Sequence, residues 1–125
     1  MEHFGDKTPL LQRLPDEVLM SFMAEGDAQA FAVLYRRHLR AAAALAVQMC
    51  ARRAVAEEVV QEAFLSFWRS RASFDRARGS VRTWVLGIVR NRAIDVLRQS
   101  VVNEVATSSE QGLAELLEAS ELTER

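Results

Sequence analysis

The chain has one cysteine, two prolines, five glycines, two histidines and a single lysine in 125 residues, and each shortage excludes something. A lone Cys50 rules out an internal disulfide or a zinc cluster. It sits in an apolar helical run, so it reads as a packing thiol. His3 and His38 lie far apart, no Gly-rich phosphate loop is present, and no spacing pairs a nucleophile with a base. An enzyme is therefore not expected, and neither a metal nor another cofactor is. Arginines interrupt every stretch that approaches eighteen apolar residues, and no charged leader with an apolar run and cleavage site precedes the domain. The expected location is cytoplasmic.

Half of the residues are hydrophobic, enough for one buried core in a chain of this length. Helix formers dominate and breakers are scarce, so the fold class is all-α, a compact bundle of about four helices. The net charge of −1 hides a strong segregation: residues 1–27 carry −4, residues 28–100 carry +8 and residues 101–125 carry −5. A basic middle between acidic ends suits a polyanion-binding domain with acidic flanks. All the basic residues except Lys7 are arginine, the side chain best suited to bidentate phosphate contacts and to stacking on rings.

Residues 1–14 hold no sustained period and read as a flexible lead-in. A short helix starts at Pro15 or Asp16 and ends at Gly26, with Val18, Leu19, Phe22 and Met23 on one face. Asp27 caps a second helix to about Met49, carrying a stripe of Phe31, Leu34, Tyr35 and Leu39. A third, near Ala54 to Arg71, buries Ala56, Val60, Ala63, Phe64 and Phe67. Its other face holds Glu57, Glu58, Gln61, Glu62 and Leu65. Glu58 and Glu62 are four residues apart and repel by about 0.2–0.5 kcal/mol; a solvated face and a docking face for a basic partner both fit. Ala72 to Ser80 is a loop. Ser80 caps a last core helix, Val81 to about Gln99, with Val81, Val85, Val89, Ala93 and Val96 on one side and Trp84, Gly87, Asn91 and Arg98 on another. The core domain thus spans residues 15–99. After Ser100 the period fades into an acidic, mostly flexible linker over residues 100–125, in which Ser108 or Ser109 caps a weak helix.

The chemistry concentrates in the loop and the last helix. Phe74 is an aromatic flanked by Arg69, Arg71, Arg76, Arg78 and Arg82. Arginines attract a phosphate backbone and a ring offers a stacking platform for an unpaired base, a combination suited to single-stranded nucleic acid. Asn91 adds an amide able to make paired hydrogen bonds to a base edge. Packing onto the core is the competing role for both Phe74 and Trp84.

Two linked segments, VAEEVVQEAFLSFWRS and, after an Arg-rich loop beginning SFD, GSVRTWVLGIVRNRAIDVLR, resemble region 2 of bacterial extracytoplasmic-function (ECF) sigma factors, the promoter-specificity subunits of RNA polymerase. The preceding PDEVLMSFMAEGDAQAFAVLYRRH is similar to the opening helices of that domain, so the resemblance covers about Pro15 to Gln99. It implies that Glu57, Glu58, Gln61, Glu62 and Leu65 dock on the basic clamp helices of the largest subunit of core RNA polymerase. It implies that Phe74 and its loop capture a base flipped from the non-template strand of the −10 promoter DNA, with Asn91, in the IVRN match to the family's I-x-x-N pattern, reading or supporting that base. Arg76 belongs to the same loop; Arg78, Arg82, Arg90 and Arg98 would hold phosphates, and Trp84 would be mainly architectural. The family's C-terminal helix-turn-helix domain, which reads the −35 element, has no counterpart after Ser100. Two other readings stand beside this one: a module held by an anti-sigma factor through the same faces, and a generic helical DNA-binding protein preferring duplex.

Overall fold

The computed structural model describes residues 6–124, with side chains through residue 115. Five α-helices follow in order: α1 (Thr8–Leu11), α2 (Asp16–Ala24), α3 (Ala28–Met49), α4 (Arg53–Arg69) and α5 (Val81–Glu124), with 3-10 turns at Arg71–Ser73 and Arg76–Arg78 between α4 and α5. No strand occurs among the described residues, and the fold is all-α, as the composition indicated. Two compact units are distinguished, one ending at Ala93 and the other beginning at Ile94.

In the first unit, Gly26 turns the chain out of α2 at a φ of +97°, a conformation that L side chains rarely adopt. Asp27 then caps α3, its Oδ1 accepting from the backbone N–H of Gln29 at 2.9 Å and of Ala30 at 3.2 Å. The same carboxylate anchors what precedes α2. Lys7 Nζ lies 2.7 Å from Asp27 Oδ2, and the Lys7 backbone N–H donates to Gln29 Oε1. With Pro9 in its first turn, α1 forms here and buries Leu11. Within the expected lead-in over residues 1–14, Thr8–Leu11 form this helix; residues 1–5 lie outside the described residues.

The core is built from the expected stripes of α4 and α5. Ala56, Val60, Ala63, Phe64 and Phe67 are buried on α4, together with Val59. Val81, Val85, Val89 and Ala93 recur at four-residue spacing on α5 and all are buried. From α3 come Ala30, Val33, Leu34, Ala42 and Ala46, and Cys50 is a buried thiol just beyond its end. A run of edge-on rings, Tyr35, Phe64, Phe67 and Trp84, ties α3, α4 and α5 together.

In α2 the buried face differs from expectation. Leu19, Met20 and Met23 are inside, whereas Val18 and Phe22 are 38% and 42% exposed. Apolar residues at 18, 19, 20, 22 and 23 cover so wide an arc that the pattern leaves the helix rotation open; packing on α3 selects the Met20 side.

One buried polar group joins three helices. His38, 3% exposed on α3, places Nε2 2.8 Å from Asp16 Oδ2 of α2, and its Nδ1 accepts from Arg82 Nε of α5 at 3.2 Å. Because Nδ1 is an acceptor, the ring proton belongs on Nε2, which lies close to the carboxylate without the alignment of a hydrogen bond. Asp16 Oδ1 also receives Arg37 Nη1 at 2.9 Å, and Arg37 Nη2 donates to the Gln12 carbonyl. Burial pushes the His38 pKa below its usual value; Asp16 opposes that shift, while the nearby Arg82 and Arg37 reinforce it.

The second unit consists of the later part of α5. The helix reaches Glu124 and does not end near Gln99. Between Ser100 and Glu124 no proline and a single glycine, Gly112, interrupt a sequence rich in Ala, Leu and Glu, so local propensity carries the helix on after the core stripe has faded. Val101, Val102, Val105 and Leu113 are exposed there. None of the described helices is long and apolar enough to cross a membrane.

Candidate nucleic-acid interface

The segment between α4 and α5 is a built structure. Ser70 closes α4, its hydroxyl donating to the Ser66 carbonyl at 2.7 Å. Arg71 folds back so that its guanidinium carbon lies 4.2 Å above the Trp68 ring, and Nη1 donates to the Trp68 carbonyl. Asp75 starts the second 3-10 turn by accepting from the Ala77 backbone N–H at 2.9 Å. Gly79, at φ +134°, redirects the chain. Ser80 then caps α5, accepting from the Thr83 N–H at 3.1 Å.

These turns bring Phe74 onto α5. Its ring is half-buried, with the centroid 5.3 Å from that of Trp84 at an interplanar angle of 45°. It is thus neither free in a mobile loop nor lost in the core. An open cleft of about 230 Å³ runs between the turns and α5, lined by Phe74, Arg78, Trp84, Gly87, Ile88 and Asn91 among others. Trp84, Gly87, Ile88 and Asn91 follow the three- and four-residue spacing of one helix face. At Gly87 the cleft stays open because no heavy atom lies within 4 Å of where a Cβ would stand. Phe74 and Asn91, far apart in sequence, therefore meet at one cleft.

The arginines separate into different roles. Arg78 lines the cleft with its side chain 89% exposed and its Nε 3.9 Å from Asp75 Oδ2. Arg76 is exposed and lines a neighbouring cleft with Arg71. Arg90 is exposed on α5 beside Asn91. Arg82 is exposed and also reaches the neighbouring helix. Its guanidinium is directed at α3, where Nε donates to His38 Nδ1 and Nη2 to the Arg37 carbonyl at 3.1 Å. Arg98 belongs to the second unit.

A separate face lies on α4. Glu57, Glu58, Gln61 and Leu65 are exposed and Glu62 is half-buried, opposite the buried stripe. Leu65, 46% exposed, sits among these acidic and polar side chains. Arg53 Nε lies 3.5 Å from Glu57 Oε1; among the described residues Glu58 and Glu62 have no ion pair. Beside this face an apolar cleft of about 470 Å³ opens between α3 and α4, lined by Tyr35, Leu39, Val47, Cys50, Val60 and Gln61 among others.

The chain belongs to the sigma-70 region 2 family, whose model matches residues 34–101. It is 34% identical over 82 residues to an ECF RNA polymerase sigma factor SigK of Mycobacterium sp. (strain KMS), covering 66% of this chain and 42% of that protein. The SigK of Mycobacterium tuberculosis (strain ATCC 25177 / H37Ra) is 32% identical over the same length, with 44% of it covered. The match thus spans less than half the length of these relatives. An NMR structure of an engineered region 2 of sigmaE in complex with GTAAAA superposes with a TM-score of 0.62 at 33% identity, covering 70% of this chain and 90% of that one.

Proposed function

We propose that this chain is an ECF sigma factor domain, working in the cytoplasm, that binds core RNA polymerase and recognises and melts the −10 promoter element by capturing unpaired non-template bases. The observation that carries this reading is the meeting of Phe74, Trp84 and Asn91 at one open cleft whose rim bears Arg78. Aromatic rings supply a stacking surface, the Asn91 amide supplies paired hydrogen bonds to a base edge, and Arg76, Arg78 and Arg90 supply attraction for the strand. Unstacking a base costs a few kcal/mol, which stacking and hydrogen bonding in the cleft offset. The domain opens no covalent bond; strand capture alone holds the duplex apart. Arg82 and Arg98 add phosphate contacts in this reading, and Arg82 in addition bonds α5 to α3.

The acidic face of α4 with Leu65 at its centre is the docking surface for the basic clamp helices of the polymerase largest subunit. An anti-sigma factor would compete for that face and the apolar cleft beside it. In a binding assay with core polymerase, Glu58→Arg/Glu62→Arg should weaken affinity at least tenfold; undiminished binding removes this assignment. In a second assay, a single-stranded −10 oligonucleotide should bind more tightly than the corresponding duplex, and Asn91→Ala should weaken the single-strand complex alone. Tighter binding to duplex favours a generic DNA-binding helix bundle.

A further inference from the structure

Among the described residues His38 is the only polar side chain buried in the core, and base capture at the cleft of Phe74 and Asn91 gives it no task. We infer that His38 is a positioning residue for nucleic-acid binding: its neutral imidazole holds the Arg82 guanidinium ready for a phosphate of the captured strand. The inference rests on the strand-capture reading given above and gives one of its phosphate contacts a physical basis.

The hydrogen bonds divide the guanidinium into two edges. On one, Nε donates to His38 Nδ1 at 3.2 Å and Nη2 donates to the Arg37 carbonyl at 3.1 Å. That pair of donors is the side-on fork of an arginine, so the end-on fork, Nη1 with the second N–H of Nη2, is left for another acceptor. Arg82 is exposed, and among the described residues no carboxylate pairs with it and no acceptor meets Nη1. Both of its partners are neutral; they fix the side chain and leave its charge uncancelled. Arg37 is the contrary case, because its Nη1 lies 2.9 Å from Asp16 Oδ1 and its Nη2 bonds the Gln12 carbonyl. Only a neutral imidazole can hold Arg82, since Nδ1 of an imidazolium is a donor and its charge repels the guanidinium. The charged groups facing the ring are Asp16 from α2, Arg37 from α3 itself and Arg82 from α5. Burial keeps the ring neutral, and the two arginines disfavour its protonation further against the opposing pull of Asp16. An arginine tethered in this way has already lost rotamer freedom that an untethered one loses on binding, a difference of roughly three- to tenfold in affinity.

The test uses the 125-residue chain and single-stranded hexanucleotides built on GTAAAA, with each position varied in turn and the tightest binder carried forward. Affinity is measured over a salt series, at a temperature where circular dichroism shows every variant folded. Arg82→Ala should weaken binding and make the slope of log affinity against log salt shallower by about 0.7, the mark of one lost phosphate contact on a single strand. His38→Leu, which removes the acceptor, should weaken binding roughly three- to tenfold in the parent chain and have no effect when Arg82 is already alanine. His38→Asn, whose Oδ1 stands in for Nδ1, should restore most of that loss. A histidine that serves the fold alone would lower affinity alike in both backgrounds. That result, a His38→Leu affinity or an Arg82→Ala slope equal to the parent's, or an asparagine variant no better than the leucine one, overturns the positioning role and leaves base capture standing. If Phe74→Ala and Asn91→Ala alter binding to no hexanucleotide, strand capture itself is wrong and the role of His38 falls with it.

Discussion

Phe74 rests on Trp84, and Trp84 stands edge-on to Phe67, its ring centroid 5.5 Å away in the middle of the core. The ring that lines the cleft is thereby braced through two aromatic contacts to the centre of the bundle. Trp84→Ala should cost about 2–3 kcal/mol in urea unfolding, somewhat under the range for a fully buried tryptophan. Phe74→Ala loses one aromatic pair and should cost about 1 kcal/mol. With Trp68 changed to Phe, Trp84 is the remaining tryptophan, and its emission should respond to oligonucleotide binding in a Phe74-dependent manner.

Arg82→Ala should destabilise the protein without any nucleic acid present. It removes the donor to His38 Nδ1 and to the Arg37 carbonyl, and a loss of about 1–2 kcal/mol is expected. Arg90→Ala, at an exposed site on the same helix, should leave unfolding within about 0.5 kcal/mol of the parent and act on strand affinity only. Parallel melting and binding curves for the two variants check this division.

Acidification should weaken the fold through His38. Its folded pKa lies below the ordinary value of 6.5 because burial disfavours the charged ring. Between the folded and unfolded values the unfolded chain binds more protons, so stability is complete above about pH 6.5 and falls as pH drops below it. Asp27 has the same sign at lower pH. Its pKa is held below 3.8, with the hydrogen bond from Lys7 the foremost cause, so its contribution is lost only as pH falls below that value. His38→Gln should flatten the limb below pH 6.5 in denaturation series and leave the more acidic one.

Asp27→Ala should cost about 1–2 kcal/mol through loss of the α3 cap. Lys7→Ala should cost less, because its ammonium is half in solvent. A double-mutant cycle should show coupling between the two, and the Lys7 change should speed proteolysis ahead of α2 more than elsewhere.

Much of this arrangement was legible in the sequence because it follows from local rules. The Asp27 and Ser80 caps, the α4 stripe and the four-residue repeat Val81, Val85, Val89, Ala93 each need only helix geometry and a polar or apolar choice. Phe74 and Asn91 stood out by chemistry, and their shared cleft depended on turns whose path no periodicity reports. The features that escaped are long-range. α1 forms because Lys7 finds Asp27 and Gln29 twenty or so residues away. Arg82 looks the same as its neighbours in sequence, yet His38 lies within its reach. The signal for such a partner is His38 itself, because a buried imidazole needs polar groups at its nitrogens.

The contact between Arg78 and Asp75 bears on how a bare polyanion would be treated. The Asp75 carboxylate already anchors the turn through Ala77 and lies 3.9 Å from Arg78 Nε. A phosphate approaching Arg78 must compete with a counter-charge that is part of the loop, so backbone attraction there is muted. On the strand-capture proposal, tight binding should then depend on filling the cleft of Phe74 and Asn91, and duplex or unrelated polyanions should bind more weakly.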